Sequence, residues 1–383
     1  MTSAKDKVYF PGINALRFFA ASGVVITHIE LMKGQMSMKN NWKEPFFLHL
    51  GSLGVFFFFV LSGFLITYLL LKEKEKTGRV AIKEFYVRRI LRIWPLYYLV
   101  IVLAFFVFPH LDILRNDWFD RFMDQDFGTK LMLYLLMLPN LGLAMFPSVP
   151  YAGQTWSIGV EEQFYLIWPA VVGFAKKTGR LLLLFFAGVI LFKVIFLLYY
   201  KYASPSHTLT AIKDFIAMTK IELMAMGGIG AWLFYKNKTV FLNLIFSLPV
   251  QILSYVLIPV LLYLTPQSVQ DAVHLLYGAL FLVIIMNVAL NPHSIFKFNN
   301  RVFDFLGTIS YGIYMYHMFI IVIVVRLSSR WFEHPGSVTA NVAYYILTFV
   351  SVIFVAALSY YLFERRFIRM KKKHTVIPSG NTE

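Results

Sequence analysis

The chain has 383 residues, of which 58% are hydrophobic, 18% aromatic and only 15% charged, with a formal net charge of +16 and no cysteine. Soluble globular chains carry about a quarter charged residues, so this composition excludes an ordinary soluble domain; the missing cysteines exclude disulfides, thiolate catalysis and cysteine-ligated metals. The positive charge does not call for nucleic acid, because Lys and Arg gather at the cytoplasmic ends of membrane spans, where they set orientation and meet anionic lipid.

The first apolar stretch follows Lys5 and Lys7 as a signal-peptide core would. It is too long for one, however, and Arg17 interrupts it, so it reads as a retained anchor over 12–32. Within it, "NALRFFAASGVVITHIE" sets Arg17 and His28 eleven positions apart. Eleven steps of about 100° make about three turns plus 20°, so both side chains share one helix face, about 16 Å apart along the axis. An intramembrane arginine costs at least about 2.5 kcal/mol, which turns it toward protein or a wet cavity rather than lipid. The plainer alternative is an arginine snorkelling from a helix end beside a satisfied histidine.

Further spans are predicted over 51–71, 93–109, 157–175, 181–200, 215–235, 241–264, 271–290, 304–327 and 341–363, since runs of about 18 or more apolar residues fit a hydrocarbon core of about 30 Å. In the second, Ser62 and Gly63 read as helix-packing residues, small enough to let spans approach. Ahead of the third, "EFYVRRILRIWPLYY" carries Arg88, Arg89 and Arg92. Arg89 and Arg92 are three apart, on one face, and suit a bidentate grip on phosphates; basic residues at a cytoplasmic span end are also ordinary topology anchors. The fourth, "TWSIGVEEQFYLIWP", holds Glu161 and Glu162 about one turn inside the predicted span. Adjacent carboxylates point about 100° apart, so at most one faces a given site, and the other suits a helix start. A carboxylate beside His28 would orient the imidazole and raise its basicity, as general-base chemistry requires. Glu222, predicted mid-span, is a functional suspect by burial cost alone. His317 closes "SYGIYMYH" in the ninth span, and the nine histidines show no metal-binding spacing, so no metal is expected.

"LMLYLLMLPNLGLAMF" (131–146) is apolar but short, and Pro139-Asn140 interrupts it. Charge counting decides whether it crosses. After residue 175, one alternating set of connections holds 13 Lys and Arg and the other holds 3, so the first set is expected in the cytoplasm. Residues 72–92, with eight basic residues, belong on the same side, and the acid-rich 110–130 segment on the other. An odd number of crossings must then bring the chain back by residue 176, so 157–175 spans and 131–146 is re-entrant, its free backbone groups covered by protein. The expected fold is an all-α polytopic transmembrane helical bundle of about ten spans with both termini cytoplasmic. One domain is expected over 1–373, followed by a short polar tail over 374–383.

These motifs, in this order, resemble the acyltransferase-3 family of integral membrane O-acyltransferases. The resemblance rests on Arg17 and His28 at their spacing, "GVFFFFVLSGFLI", the Arg-x-x-Arg of "FYVRRILRIWPLYY", "WSIGVEEQFYLIWP" and "LGTISYGIYMYH", and covers nearly the whole chain. It implies transfer of an acyl group, usually acetyl, from acyl-CoA to a hydroxyl of a sugar or surface glycan. Some members carry a fused extracytoplasmic hydrolase-like domain, for which this chain has no room, so a partner acting on the acceptor is expected to be separate. On this reading His28, Glu161 and Arg17 are catalytic, while Arg88, Arg89 and Arg92 hold the CoA co-substrate. Trp156, Ser157, Glu162 and His317 are further candidates. His28 would deprotonate the acceptor directly or first carry the acyl group itself. The rival reading is a multi-span solute transporter, which shares the spans, buried charges and a broken helix.

Overall fold

The computed structural model describes residues 8–115, 126–266 and 269–378. Residues 116–125 of the acid-rich segment and 379–383 of the expected tail therefore lie outside the described residues. Sixteen helices are named here: α1 (Ile13–Gln35), α2 (Pro45–Thr77), α3 (Ile82–Val102), α4 (Phe127–Leu135), α5 (Pro139–Met145), α6 (Trp156–Phe174), α7 (Thr178–Tyr202), α8 (His207–Met218), α9 (Ile221–Tyr235), α10 (Thr239–Phe246), α11 (Leu248–Leu264), α12 (Gln270–Leu290), α13 (Arg301–Thr308), α14 (Ser310–Ser328), α15 (Val338–Ser359) and α16 (Arg365–Lys371). Among the described residues there is no β-strand.

Among the described residues eight helical stretches are long and apolar enough to cross a membrane, and the bent pair α10–α11, taken as one span, makes nine. Helix α6, with 19 residues, is the counterpart of the fourth predicted span, 157–175; its Glu161-Glu162-Gln163 run lowers its hydropathy. The predicted 241–264 span is not one straight helix. It bends by 57° at Ser247, where Pro249 sits in the first turn of α11 and lacks an N–H to continue the ladder. The segment 131–146 forms the end of α4 and all of α5, neither long enough to cross. Its break lies one step earlier than the sequence suggests: Met137 takes a left-handed φ of 59°, and Pro139 opens α5 at a position where it is well tolerated.

Helix α2 is the spine of the bundle. A Cβ on Gly63 would stand 1.8 Å from the Met224 carbonyl oxygen, and one on Gly227 would stand 2.0 Å from that of Val60, so α2 and α9 cross with their backbones in contact. The core that results includes Phe59, Val60, Phe64, Tyr97 and Trp168, while Leu183, Phe192 and Ile195 of α7 and Ile346 and Phe354 of α15 face outward, as lipid contact requires. A methyl at Gly63 meets backbone, which cannot rotate aside. Gly63→Ala is therefore expected to cost about 3 kcal/mol or more, read as a large fall in the melting temperature of the detergent-purified protein.

Buried charges in the bundle are mostly paired. Lys33 meets Glu30 at 2.7 Å, Arg88 meets Glu73 at 3.1 Å, and Glu222 receives both Lys193 at 2.7 Å and His274 at 2.9 Å. Glu222 thereby ties α7, α9 and α12 together, a structural use for a carboxylate that burial alone had made suspect. At the far end of α6 the Lys74 ammonium donates to the Val172, Gly173 and Ala175 carbonyls, filling acceptors that the helix terminus leaves open.

Candidate active site

Along α1, Arg17 and His28 each line a cavity, but not the same one. The larger, of about 210 Å³, is lined by Arg17 from α1, Ser62 from α2, Arg89 and Arg92 from α3, Ser157, Glu161 and Tyr165 from α6, Tyr311 and Tyr314 from α14, and Lys371 from α16. The smaller, of about 200 Å³, is lined by His28, Gln35, Leu143, Tyr151, Gln154, Trp156 and Met318, among others.

Among the described residues, four cations and a single carboxylate line the larger cavity. Arg17 makes one long contact, to Asn14 Oδ1 at 3.4 Å. Arg89 lies over the Phe85 and Tyr165 rings, and its buried Nε has no hydrogen-bond partner among the described residues. Among the described residues, neither Arg92 nor the Lys371 ammonium has a hydrogen-bond or ion-pair partner. Glu161 does not neutralise them by direct pairing, since its two oxygens accept from Ser62 Oγ at 3.0 Å and from the Tyr165 hydroxyl at 2.9 Å. Elsewhere in this bundle Lys33, Arg88 and Lys193 each find a carboxylate. Buried charge left unpaired is costly, so a bound anion would relieve this cluster.

Arg88 does not join the set. One residue from Arg89, it points about 100° away around α3, where it pairs with Glu73 and donates to the His374 carbonyl at 2.8 Å. Glu162 likewise turns out of the cavity and accepts from Trp94 Nε1 at 3.1 Å. It does not cap the helix start, because α6 begins five residues before Glu161 and its first turn holds no acid.

Around the smaller cavity, the partner of His28 is not Glu161. Its Nδ1 lies 2.9 Å from the Val24 carbonyl and 3.1 Å from His317 Nε2. His317 Nδ1 in turn lies 2.6 Å from the Tyr314 carbonyl. A carbonyl only accepts, so in neutral rings both Nδ1 atoms carry the hydrogen. His317 Nε2 is then an acceptor for the His28 N–H, and the His28 Nε2 lone pair is left unused. The hydrogen-bond network, rather than any visible proton, makes this assignment. A histidine thus stands where a carboxylate was expected.

A hydroxyl pair stands between the cavities. The Tyr314 hydroxyl donates to the Gln154 carbonyl at 2.8 Å, and Ser157 Oγ lies 2.7 Å from the Tyr314 oxygen, which is free to accept from it. Tyr314 and Ser157 line the larger cavity, Gln154 and Trp156 the smaller. Consecutive residues at the start of α6 therefore face different chambers. Sequence reasoning passed over Ser62, taken as packing, and Tyr165, Tyr314 and Lys371 altogether. Helical spacing held a signal for two of them: Tyr165 is four residues from Glu161, and Tyr314 is three from His317, so each shares a face with a named candidate.

A helical bundle of apolar spans, with a cation-lined cavity beside a histidine-bearing one, defines the general class, a polytopic membrane protein. Residues 10–361 match the acyltransferase domain family, and the chain belongs to that family of acyltransferases, which sets it among enzymes rather than carriers. It is similar to the peptidoglycan O-acetyltransferase OatA of Listeria monocytogenes, at 29% identity over 336 residues, covering 82% of this chain and 50% of that protein. It is also similar to the O-acetyltransferase OatA of Staphylococcus aureus, at 27% identity, covering 82% of this chain and 51% of that one. The chain spans about half the length of these curated relatives. No solved structure matches it significantly.

Proposed function

We propose that this chain is an O-acetyltransferase of the plasma membrane that moves an acyl group, normally acetyl, from cytoplasmic acyl-CoA to a hydroxyl of a sugar or surface glycan on the outer side. The observation that carries the reading is the set of unpaired cations in the larger cavity, Arg17, Arg89, Arg92 and Lys371, which answers the phosphates of a CoA donor. The basic segments 72–92 and 365–373 adjoin that cavity, which favours the cytoplasmic side for it and for both termini. The smaller cavity then serves an acceptor from outside, and the relatives' names, which speak of O-acetyl transfer and, for one, of peptidoglycan, agree with a glycan acceptor.

The chemistry follows from the tautomers. His28 Nε2 takes the proton of the acceptor hydroxyl, the oxygen attacks the thioester carbonyl carbon, and the carbon–sulfur bond breaks. The proton then passes from the imidazolium to the departing CoA sulfur. While His28 is charged, its Nδ1–H is shared by the Val24 carbonyl and His317 Nε2, which steady the cation without a buried carboxylate. The Ser157–Tyr314 hydroxyl pair lies on the way of the acyl group from one chamber to the other. CoA is a co-substrate here, and the mechanism uses no permanently bound cofactor, metal or nucleic acid.

Purified protein in detergent, given radiolabelled acetyl-CoA and glycan fragments from its own cells, is expected to release CoA and label the glycan. Cells lacking the gene should lose O-acetyl groups from a surface glycan. Protein that is folded yet neither binds nor turns over acetyl-CoA would end this reading.

A further inference from the structure

The donor cavity draws one of its cations from outside the region that defines the family. The family match ends at residue 361, whereas Lys371 closes α16, ten residues later. By sequence, Lys371 is one of six basic residues in "RRFIRMKKK", a run whose ordinary use is to anchor topology and meet anionic lipid. Its surroundings set it apart. It lines both the larger cavity and a small adjoining one that also touches Glu73, Arg88 and Arg89. Its ammonium has no partner among the described residues.

The segment that carries it is also held in place. The Thr375 hydroxyl donates to the Lys371 carbonyl at 2.9 Å, and Arg88 donates to the His374 carbonyl at 2.8 Å. The His374 ring meets Glu84 at 2.5 Å, and the Val8 N–H donates to the Pro378 carbonyl at 2.9 Å. Val8, Tyr9 and Phe10 line the same cavity, so both ends of the described chain converge there. Residues 374–378, expected as part of a polar tail, are instead a strap fastened to α3 and to the N-terminal segment.

We infer that Lys371 is a donor-binding residue, gripping a phosphate of acyl-CoA, and that the C-terminal segment 365–378 completes the donor site. The inference rests on the reading of the larger cavity as the CoA site. It accounts for the pairing pattern: Arg88, one of the three arginines expected at the phosphates, is spent on Glu73 and on fastening the strap, and that strap presents Lys371 to the cavity.

The test is acetyl-CoA binding by calorimetry to the purified full chain in detergent. Lys371→Met is expected to weaken binding about tenfold, the scale of one charge-assisted contact. Lys371→Arg, which keeps the charge, should bind within about twofold of the parent, and both variants should melt at the parent temperature. The salt dependence of the affinity should become shallower in Lys371→Met, as one counter-charge fewer is engaged. Parent-like acetyl-CoA affinity in Lys371→Met overturns the inference and returns the residue to lipid contact. The Arg89→Gln/Arg92→Gln protein, measured alongside, separates the two claims. If it loses affinity while Lys371→Met does not, only the role of Lys371 falls; if neither loses affinity, the donor reading of the cavity falls with it.

Discussion

Replacing His28 with alanine is expected to lower acyl transfer by about a hundredfold or more while donor affinity stays within about twofold of the parent. General-base assistance contributes about 10²–10⁴-fold, and alanine removes the ring nitrogen of the His28–His317 pair that the hydrogen-bond network leaves free to take a proton. Donor affinity is spared because His28 lines the smaller cavity, whereas the unpaired cations line the larger. His317 makes the experiment sharper. With His317→Phe, His28 loses the acceptor at 3.1 Å but keeps the Val24 carbonyl at 2.9 Å, which still fixes its tautomer. The expected loss is in turnover number, about tenfold, smaller than for His28→Ala and with little change in donor affinity. His317→Gln, which restores an acceptor, should recover part of it. If His28→Ala transfers acyl groups at near-parent rate, the base lies elsewhere. If His317→Phe matches His28→Ala in severity, His317 takes part in the proton transfer itself rather than positioning its neighbour.

Much of this was legible in the sequence for a physical reason: lipid imposes a pattern on composition that water does not. The long apolar runs and the charge asymmetry between connections gave helices whose bounds fall within a few residues of those observed for α1, α6, α7 and α12. The bend at Ser247 was harder to see, because hydropathy averages over a window and does not register a change of direction. The site divided along a similar line. Residues on one helix were related correctly by rotation alone, so the shared face of Arg89 and Arg92, and the separation of Glu161 from Glu162, could be read from spacing. What spacing cannot give is which face of one helix meets which face of another. The sequence pairs Glu161 with His28 because the predicted topology sets both toward the outer end of their spans. Packing instead turns Glu161 to Ser62 and Tyr165, and brings α14 against α1 so that His317 reaches His28. Lys371 was hidden for another reason: six basic residues in nine positions look alike until the fold shows which of them lines a cavity.

The largest expected loss of donor binding is in the Arg89→Gln/Arg92→Gln protein. Each charge-assisted hydrogen bond contributes about 1.5–3 kcal/mol, so removing both should weaken acetyl-CoA binding by about 10²–10⁴-fold, measured by calorimetry or by competition with a labelled CoA. Membrane insertion should survive, because eight basic residues between positions 72 and 92 become six and the charge asymmetry persists. The fold should survive too, since neither arginine is part of an ion pair that a substitution would break. Arg88→Gln is the contrasting case. It strands Glu73, whose side chain is 2% exposed, and loosens the contact to the His374 carbonyl. Glu73 keeps the Ala81 N–H at 2.7 Å but loses its counter-charge, and a buried carboxylate without one costs about 3–5 kcal/mol, so this variant should melt well below the parent, with its effect on the donor arising through the strap that presents Lys371. Three arginines within five residues are thus expected to separate into two roles: loss of affinity at unchanged stability for Arg89 and Arg92, and loss of stability first for Arg88. Unchanged acetyl-CoA affinity in the double variant would return Arg89 and Arg92 to the ordinary role of basic residues at a cytoplasmic span end.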